Sequence, residues 1–385
     1  MQHDTPAPTN LALRGDIMTI RKMLGRSNFI GLSVALATAT VAASTPVRAE
    51  TADFSKKTIE FIVPFGVGGG SDTWARFNAP FLGKYLPGNP TVVVKNLPGG
   101  GSITGANQFA ARAKADGLSL LGTSASTQFP YLLGDPRVRF EYKDWQVVLA
   151  APTGGVTYIN TNLGVKSLAD LGQLKGQRLV YGSQGATTLD LVPLLAFRLL
   201  GLDVHHVFGM KSRGEGRLAF ERGEANIDFQ TTSAYLKSSL GMVQEGKAIP
   251  LFTMGMLDDA GNLVRDANFP DLPHVGEAIE IVTGKPPAGI EWEAFRALLI
   301  AGFPAQKLMV LPKATPQPIV EAYRAAVRQM RLDPDYQASK DDALGGYEQV
   351  TDGVAEALFA AGTTIAPEAR DWVRAVLEKD YNTRF

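Results

Sequence analysis

Short apolar runs alternate along most of this 385-residue chain with longer stretches whose apolar residues recur every three or four positions. Residues 58–64 form a β-branched apolar run ending in a glycine-rich turn. Residues 71–85 then set Trp74, Phe77, Phe81 and Tyr85 on one helical face, with Pro80 predicting a kink or an early end. Segment 91–95 reads as a strand, 103–113 as a helix and 119–123 as a third strand. The rhythm resumes after about Thr153, with strands expected at 178–181, 203–207, 225–229 and 249–254 and helices at 189–200, 216–222 and 234–245. Residues 258–287 read as connecting loops, 295–303 as a strand, and 316–330, 352–365 and 367–381 as three closing helices.

Strands alternating with helices at this spacing predict βα units on a mostly parallel sheet. Two such blocks, parted near residues 150 and 290, predict an α/β fold of two lobes, each a mostly parallel sheet flanked by helices. The chain would cross between them twice and leave a ligand cleft, a favoured place for small-molecule sites. The expected division is 50-152 plus 290-385 for lobe 1 and 153-289 for lobe 2, behind an extension over 1-49.

That extension reads as an export signal. Arg21, Lys22 and Arg26 precede an apolar stretch over 29–43, and Val47-Arg48-Ala49 gives a small-x-small cleavage pattern. The stretch is shorter than the ~20 residues needed to span a bilayer, so cleavage after Ala49 and a periplasmic location are expected. Residues 1–17 precede a better-placed Met18 and are set aside. Cleavage removes five basic and two acidic side chains, leaving 33 against 36 over 336 residues. Such a balance lacks the basic face of a nucleic-acid binder. The absence of cysteine excludes disulfides, thiolate chemistry and a lipid anchor on an N-terminal cysteine.

Glycine is abundant, 40 residues, and much of it lies in loops that join a strand to a helix. The first such loop spans 64–72, with Gly66, Gly68, Gly69 and Gly70 before Ser71 and Asp72. It lacks the lysine of a phosphate loop and the third glycine of a dinucleotide fingerprint. What it offers is backbone N–H groups at a helix N-terminus, where the dipole favours an anion, with Ser71 or Asp72 as alternative helix caps. A second loop, 96–102, carries Gly99, Gly100, Gly101 and Ser102. A third cluster, 123–127, carries Ser124 and Ser126, and in the second block 182–188 carries Ser183, Gly185 and Thr187. All four are rich in neutral donors and free of Lys and Arg, a set suited to carboxylates held through backbone groups and water.

Catalytic constellations are missing from the sequence. No G-x-S-x-G elbow or H-E-x-x-H occurs, and His205 and His206, being adjacent, would face opposite ways on a strand. Both read as structural or surface residues.

These residues resemble those of the Bug-type periplasmic solute receptors of tripartite tricarboxylate transporters, the TctC-like family. The family's Pro-Phe-x-x-Gly-Gly-x-x-Asp is met by Pro64, Phe65, Gly68, Gly69 and Asp72. Its Asn-x-Pro-Gly-x-Gly-Gly is met by Asn96, Pro98, Gly99 and Gly101, with Ser102 replacing the last glycine. The turn Ala115-Asp116-Gly117 and the stretch 181–187 are similar to two further landmarks, and Asp228 also fits the pattern. The resemblance implies a two-lobe, type II-like binding protein without catalytic residues, cofactor or metal. Its ligand would be a small organic di- or tricarboxylate, aliphatic or aromatic, and its partners the membrane subunits of the transporter. It places Phe65, Gly69, Ser71, Asp72, Gly100, Gly101 and Ser102 on the first-lobe side of the ligand. Ser124, Ser126, Thr153, Ser183, Gly185, Thr187 and Asp228 would face them or lie near the hinge. The sequence departs from the family most over 207–224, where Lys211 and Arg213 read as solvated loop residues. The rival functions are a receptor for a periplasmic sensor partner and an exported enzyme using the same cleft.

Overall fold

The computed structural model describes residues 52–258 and 262–385; the expected signal segment lies outside them. The chain first lays down β1 (Thr58–Val63), α1 (Gly70–Tyr85), β2 (Thr91–Asn96), α2 (Ile103–Arg112), β3 (Ser119–Ser124), α3 (Ala125–Leu132) and β4 (Gln146–Ala151). It then passes through β5 (Gly155–Asn160), β6 (Leu179–Ser183), α4 (Leu191–Leu199), β7 (Val204–Phe208), α5 (Arg213–Glu221), β8 (Ile227–Thr231), α6 (Thr232–Ser238), α7 (Leu240–Gln244) and β9 (Ala248–Thr253). A small hairpin follows, β10 (Met256–Leu257) with β11 (Leu263–Val264), then α8 (Val275–Thr283) and α9 (Ile290–Gly302). The chain returns in β12 (Lys307–Leu311) and closes with α10 (Gln317–Met330), α11 (Pro334–Leu344), α12 (Asp352–Ala361) and α13 (Pro367–Tyr381).

The first sheet has the order β2-β1-β3-β12-β4; β1 runs parallel to β2 and β3, and β12 antiparallel to β3 and β4. In the second lobe β5 runs antiparallel to β8 and β9, beside the parallel pair β6-β7. Each lobe therefore carries one reversed strand, and it is the strand that follows a crossing. β4 ends at Ala151 and β5 begins at Gly155, so the chain walks straight out of one carboxyl edge into the other lobe. Leaving the cleft, β5 must run against strands that point toward it. The same logic reverses β12 on the return, and Thr153 N–H donating to Phe303 O at 3.2 Å holds the two crossings side by side.

Alternation on the strands divides the first lobe's core. Phe61, Val63, Leu149, Met309 and Leu311 join Trp74 of α1 on one face. Ile62, Leu121, Val147, Leu308 and Val310 join Phe109 and Trp145 on the other. A third cluster packs α4, β6 and β9 of the second block together with α3, α9 and α13.

Several elements differ from those the sequence predicts. Residues 295–302 are part of a helix that Phe303 caps, because Ala294, Phe295, Leu298 and Leu299 return at helical spacing and are all buried. Segment 258–287 contains the second strand of a hairpin and α8, and a fourth closing helix, α11, begins at Pro334 behind the Asp333 cap. α1 passes through Pro80 unbroken to Tyr85.

Candidate functional site

The loops after β1, β2, β3 and β6 meet across the two lobes. Gly66 N–H donates to Lys211 O at 2.8 Å, and Leu189 N–H donates to Ser126 Oγ at 3.0 Å. Between them lies a small cavity of about 20 Å³, bordered by Phe65, Gly69, Ser71, Ser124 and Ser126 from the first lobe. The second lobe closes it with Gln184, Leu189, Ser212, Arg213 and Thr231. Gly69 caps α1 without any side-chain hydrogen bond, so the first N–H groups of that helix remain donors toward the cavity. An adjoining open groove of about 530 Å³ takes Gly100, Gly101 and Ser102 on one side and Gly185 and Thr187 on the other. Gln184 borders both spaces. The candidate residues thus divide between two neighbouring cavities.

The second glycine loop owes its shape to four successive positive φ angles, at Gly99, Gly100, Gly101 and Ser102 (143°, 56°, 69° and 102°). A Cβ on Gly101 would run into the Thr188 methyl of the other lobe. Ser102 holds its unfavourable φ by donating from Oγ to Ser126 O and Thr127 Oγ1, both at 3.1 Å.

Four of the predicted residues have other work. The Asp72 carboxylate is 3% exposed and accepts from Gly68 N (2.9 Å), Asn96 Nδ2 (2.9 Å) and Arg76 Nε (3.0 Å). It ties the first loop to α1 and to the end of β2, and borders neither cavity. Ser183 donates to Asp190, Asp228 is locked in an ion network, and Thr153 sits in the β4–β5 crossing. Asp72→Ala is accordingly expected to cost stability as well as affinity. The donors left behind are exposed or half-buried, so the lost hydrogen bonds cost roughly 0.5–1.5 kcal/mol, which chemical denaturation would read as a lowered midpoint.

Arg213 corrects the expectation of a solvated loop. It is 5% exposed and its guanidinium reaches Asp190 Oδ2 at 3.0 Å, Asp228 Oδ1 at 2.5 Å, Gly182 O at 2.7 Å and Phe229 O at 3.2 Å. Asp190 also accepts from Gln184 N–H (2.6 Å) and the Tyr181 hydroxyl (3.1 Å), and Asp228 from the Tyr158 hydroxyl (2.6 Å). Burial opposes the charge on Arg213, but Asp190 and Asp228 hold its pKa above the ordinary range. Burial also raises the Asp228 carboxyl, despite the arginine. The network fixes the β6 loop and the start of α5, two of the second-lobe walls of the cavity. Lys211, by contrast, is exposed as expected.

Sequence reasoning missed Lys307. It is the first residue of β12, in register with Ser124 and Ala151, and so lies at the carboxyl edge of the first sheet. The side chain is 3% exposed and borders the small cavity. No ion pair reaches it among the described residues, and burial alone pushes its pKa down to about 7. Thr231 Oγ1 and Gln306 Oε1, on the same walls, are buried without hydrogen-bond partners.

No histidine borders either cavity. His206 is packed among Tyr181, Phe197, Phe208 and Tyr381, where burial pushes its pKa down to about 4. His274 caps α8 by accepting from Gly276 N–H at 3.0 Å. Among the described residues no cluster of His, Asp and Glu could hold a metal, and no helix is long and apolar enough to cross a membrane.

No family model and no curated protein sequence matches the chain. Solved structures do. A protein described as a periplasmic transporter is 25% identical, with a TM-score of 0.63 over 85% of this chain and 98% of that one. The periplasmic binding protein BugD is 20% identical, with a TM-score of 0.64 over 85% and 98%. MatC from Rhodopseudomonas palustris with bound malate is 19% identical, with a TM-score of 0.60 over 82% and 98%. The chain has the two-lobe α/β fold of the periplasmic binding proteins. Within that class it resembles the Bug- and TctC-type receptors.

Proposed function

We propose that the chain is an exported, non-enzymatic solute receptor of the Bug type, which captures a small organic carboxylate between its lobes. One observation carries this reading: strand-end loops of both lobes converge on a small cavity bordered by the uncapped start of α1 and by the unpartnered Thr231 hydroxyl. The uncapped N-terminus of α1 supplies N–H groups and a favourable dipole, and the Thr231 hydroxyl adds a donor. A space of about 20 Å³ holds roughly one water, so a solute enters only when the lobes part. Closure over it brings the first glycine loop against the start of α5. The division 50-152 plus 290-385 and 153-289 gives the moving bodies, except that α9 and α13 join the core of the second block and would travel with it, the sheets turning about the paired crossings at Thr153 and Phe303. The malate held by MatC, whose fold the chain shares, fits a carboxylate as the ligand class. In the periplasm, after cleavage at Ala49, the closed form would be handed to the membrane subunits of a tripartite transporter.

A thermal-shift screen against mono-, di- and tricarboxylates, with sugars and amino acids as controls, tests this reading. A solute at 100 times its dissociation constant stabilises the fold by about 2.7 kcal/mol. A carboxylate hit supports the proposal, and a panel without hits counts against it.

A further inference from the structure

We propose that Lys307 is the ionic anchor of the bound solute, its ammonium pairing with one carboxylate that also accepts from the first turn of α1 and from the Thr231 hydroxyl. This rests on the receptor reading above and adds the charge of the ligand and the group that holds it.

The geometry begins with strand register. Because β12 starts level with the last residues of β3 and β4, its first side chain stands at the mouth of the sheet and not in its interior. Lys307 shares the α1 face with Met309 and Leu311, which turns it toward the start of that helix. Nζ lies 3.7 Å, and Thr231 Oγ1 2.5 Å, from the point where a Cβ on Gly70 would sit. Glycine at this position therefore keeps open a spot that an ammonium, a hydroxyl and a helix N-terminus all face.

The charges around that spot are otherwise settled. Arg213, the other ionisable side chain on the cavity wall, is neutralised by Asp190 and Asp228. On α1 the Asp72 carboxylate is turned away to Gly68, Asn96 and Arg76. The walls from β3 and α3 contribute Ser124 and Ser126, and that from β8 contributes Thr231. Lys307 remains as the cavity's cation without an ion-pair partner among the described residues. Burying a charge without a partner is costly, and a ligand carboxylate supplies the partner. A single ammonium matches a single carboxylate, so a second acidic group on the ligand lies beyond Gln184, toward the open groove.

The ammonium also sets a pH dependence. Burial lowers the free-state pKa to about 7, while the pair needs the charged form. Binding above that pH takes up a proton, so affinity falls as pH rises, by about tenfold per unit. Arg213 stays charged throughout and does not contribute.

Titration calorimetry on the full chain and on Lys307→Met tests this, using malate, adipate and benzoate beside malamide, adipamide and benzamide, with glucose as a neutral control. At pH 6 the unaltered chain is expected to bind at least one acid roughly a hundredfold more tightly than its amide. That preference should fade from pH 7 to 9 and vanish in Lys307→Met, whose melting temperature should not fall, since the variant removes a buried charge. Equal affinity of both chains for an acid overturns the anchor and leaves the receptor reading standing. Binding of amides or glucose where the acids fail overturns the anchor and the carboxylate class together, and leaves only solute capture. Binding of nothing by the unaltered chain overturns both. Should the variant not fold, the unaltered chain decides: an affinity flat from pH 6 to 9 overturns the anchor.

Discussion

Arg213→Met is expected to cause the largest loss of stability of any single substitution at the site, a cost of about 3–5 kcal/mol. The reason lies in what is left behind. Asp190 and Asp228 are fully buried, and the guanidinium is the positive group that each of them meets. Removing it strands two carboxylates together with the carbonyls of Gly182 and Phe229. Methionine is close in length and apolar, so the loss reports the charges and not a cavity. Denaturant unfolding of Arg213→Met beside the triple variant Arg213→Met, Asp190→Asn, Asp228→Asn separates the two effects. The triple variant should regain part of the loss, because it no longer buries unpaired charge. A single variant as stable as the unaltered chain would mean the network contributes nothing.

Gly214→Val should do the opposite, sparing the fold and harming binding. Gly214 is the second residue of α5, where valine suits the helix better than glycine. In the closed arrangement, however, a Cβ there would stand 2.7 Å from Gly68 O and 3.3 Å from Gly69 N, both in the opposite lobe. The side chain would wedge the seam. Overpacking of this kind costs about 1–3 kcal/mol, which closure must supply, so affinity should fall roughly 5- to 150-fold. Calorimetry with whichever solute the screen identifies measures the loss, and melting without solute should scarcely change. Unaltered affinity would show that binding does not bring these loops together.

The βα rhythm of the first block was legible because its strands end in glycine turns and its helices show a clear apolar face. Strands β4, β5 and β12 were not. Their burial is nearly continuous, so no alternation marks them, and the apolar run at 295–303, which folds into α9 and its cap, imitates a strand just ahead of β12. Lys307, the proposed anchor, stands at the start of β12. A lysine before an apolar run reads as surface; only the pairing of β12 between β3 and β4 buries it. Arg213 was lost for a related reason. Its neighbours Lys211, Glu215 and Arg217 are polar, while its true partners stand 15 and 23 residues away in sequence. The glycine loops were placed from local sequence because backbone turns are local. Asp72 was found too, although its carboxylate serves the loop instead of the cavity. Charge burial is a tertiary property, and no spacing rule in one sequence reports it.

Capture by closure is the central claim, and the distance across the seam tests it most directly. The chain has no cysteine, so Val67→Cys with Leu218→Cys places two spin labels and no others. Both positions are exposed and border the seam from opposite lobes. Pulsed electron spin resonance should show a longer, broader label distance without solute and a single short one when a stabilising carboxylate is added. The same distribution with and without a solute that raises the melting temperature would contradict closure.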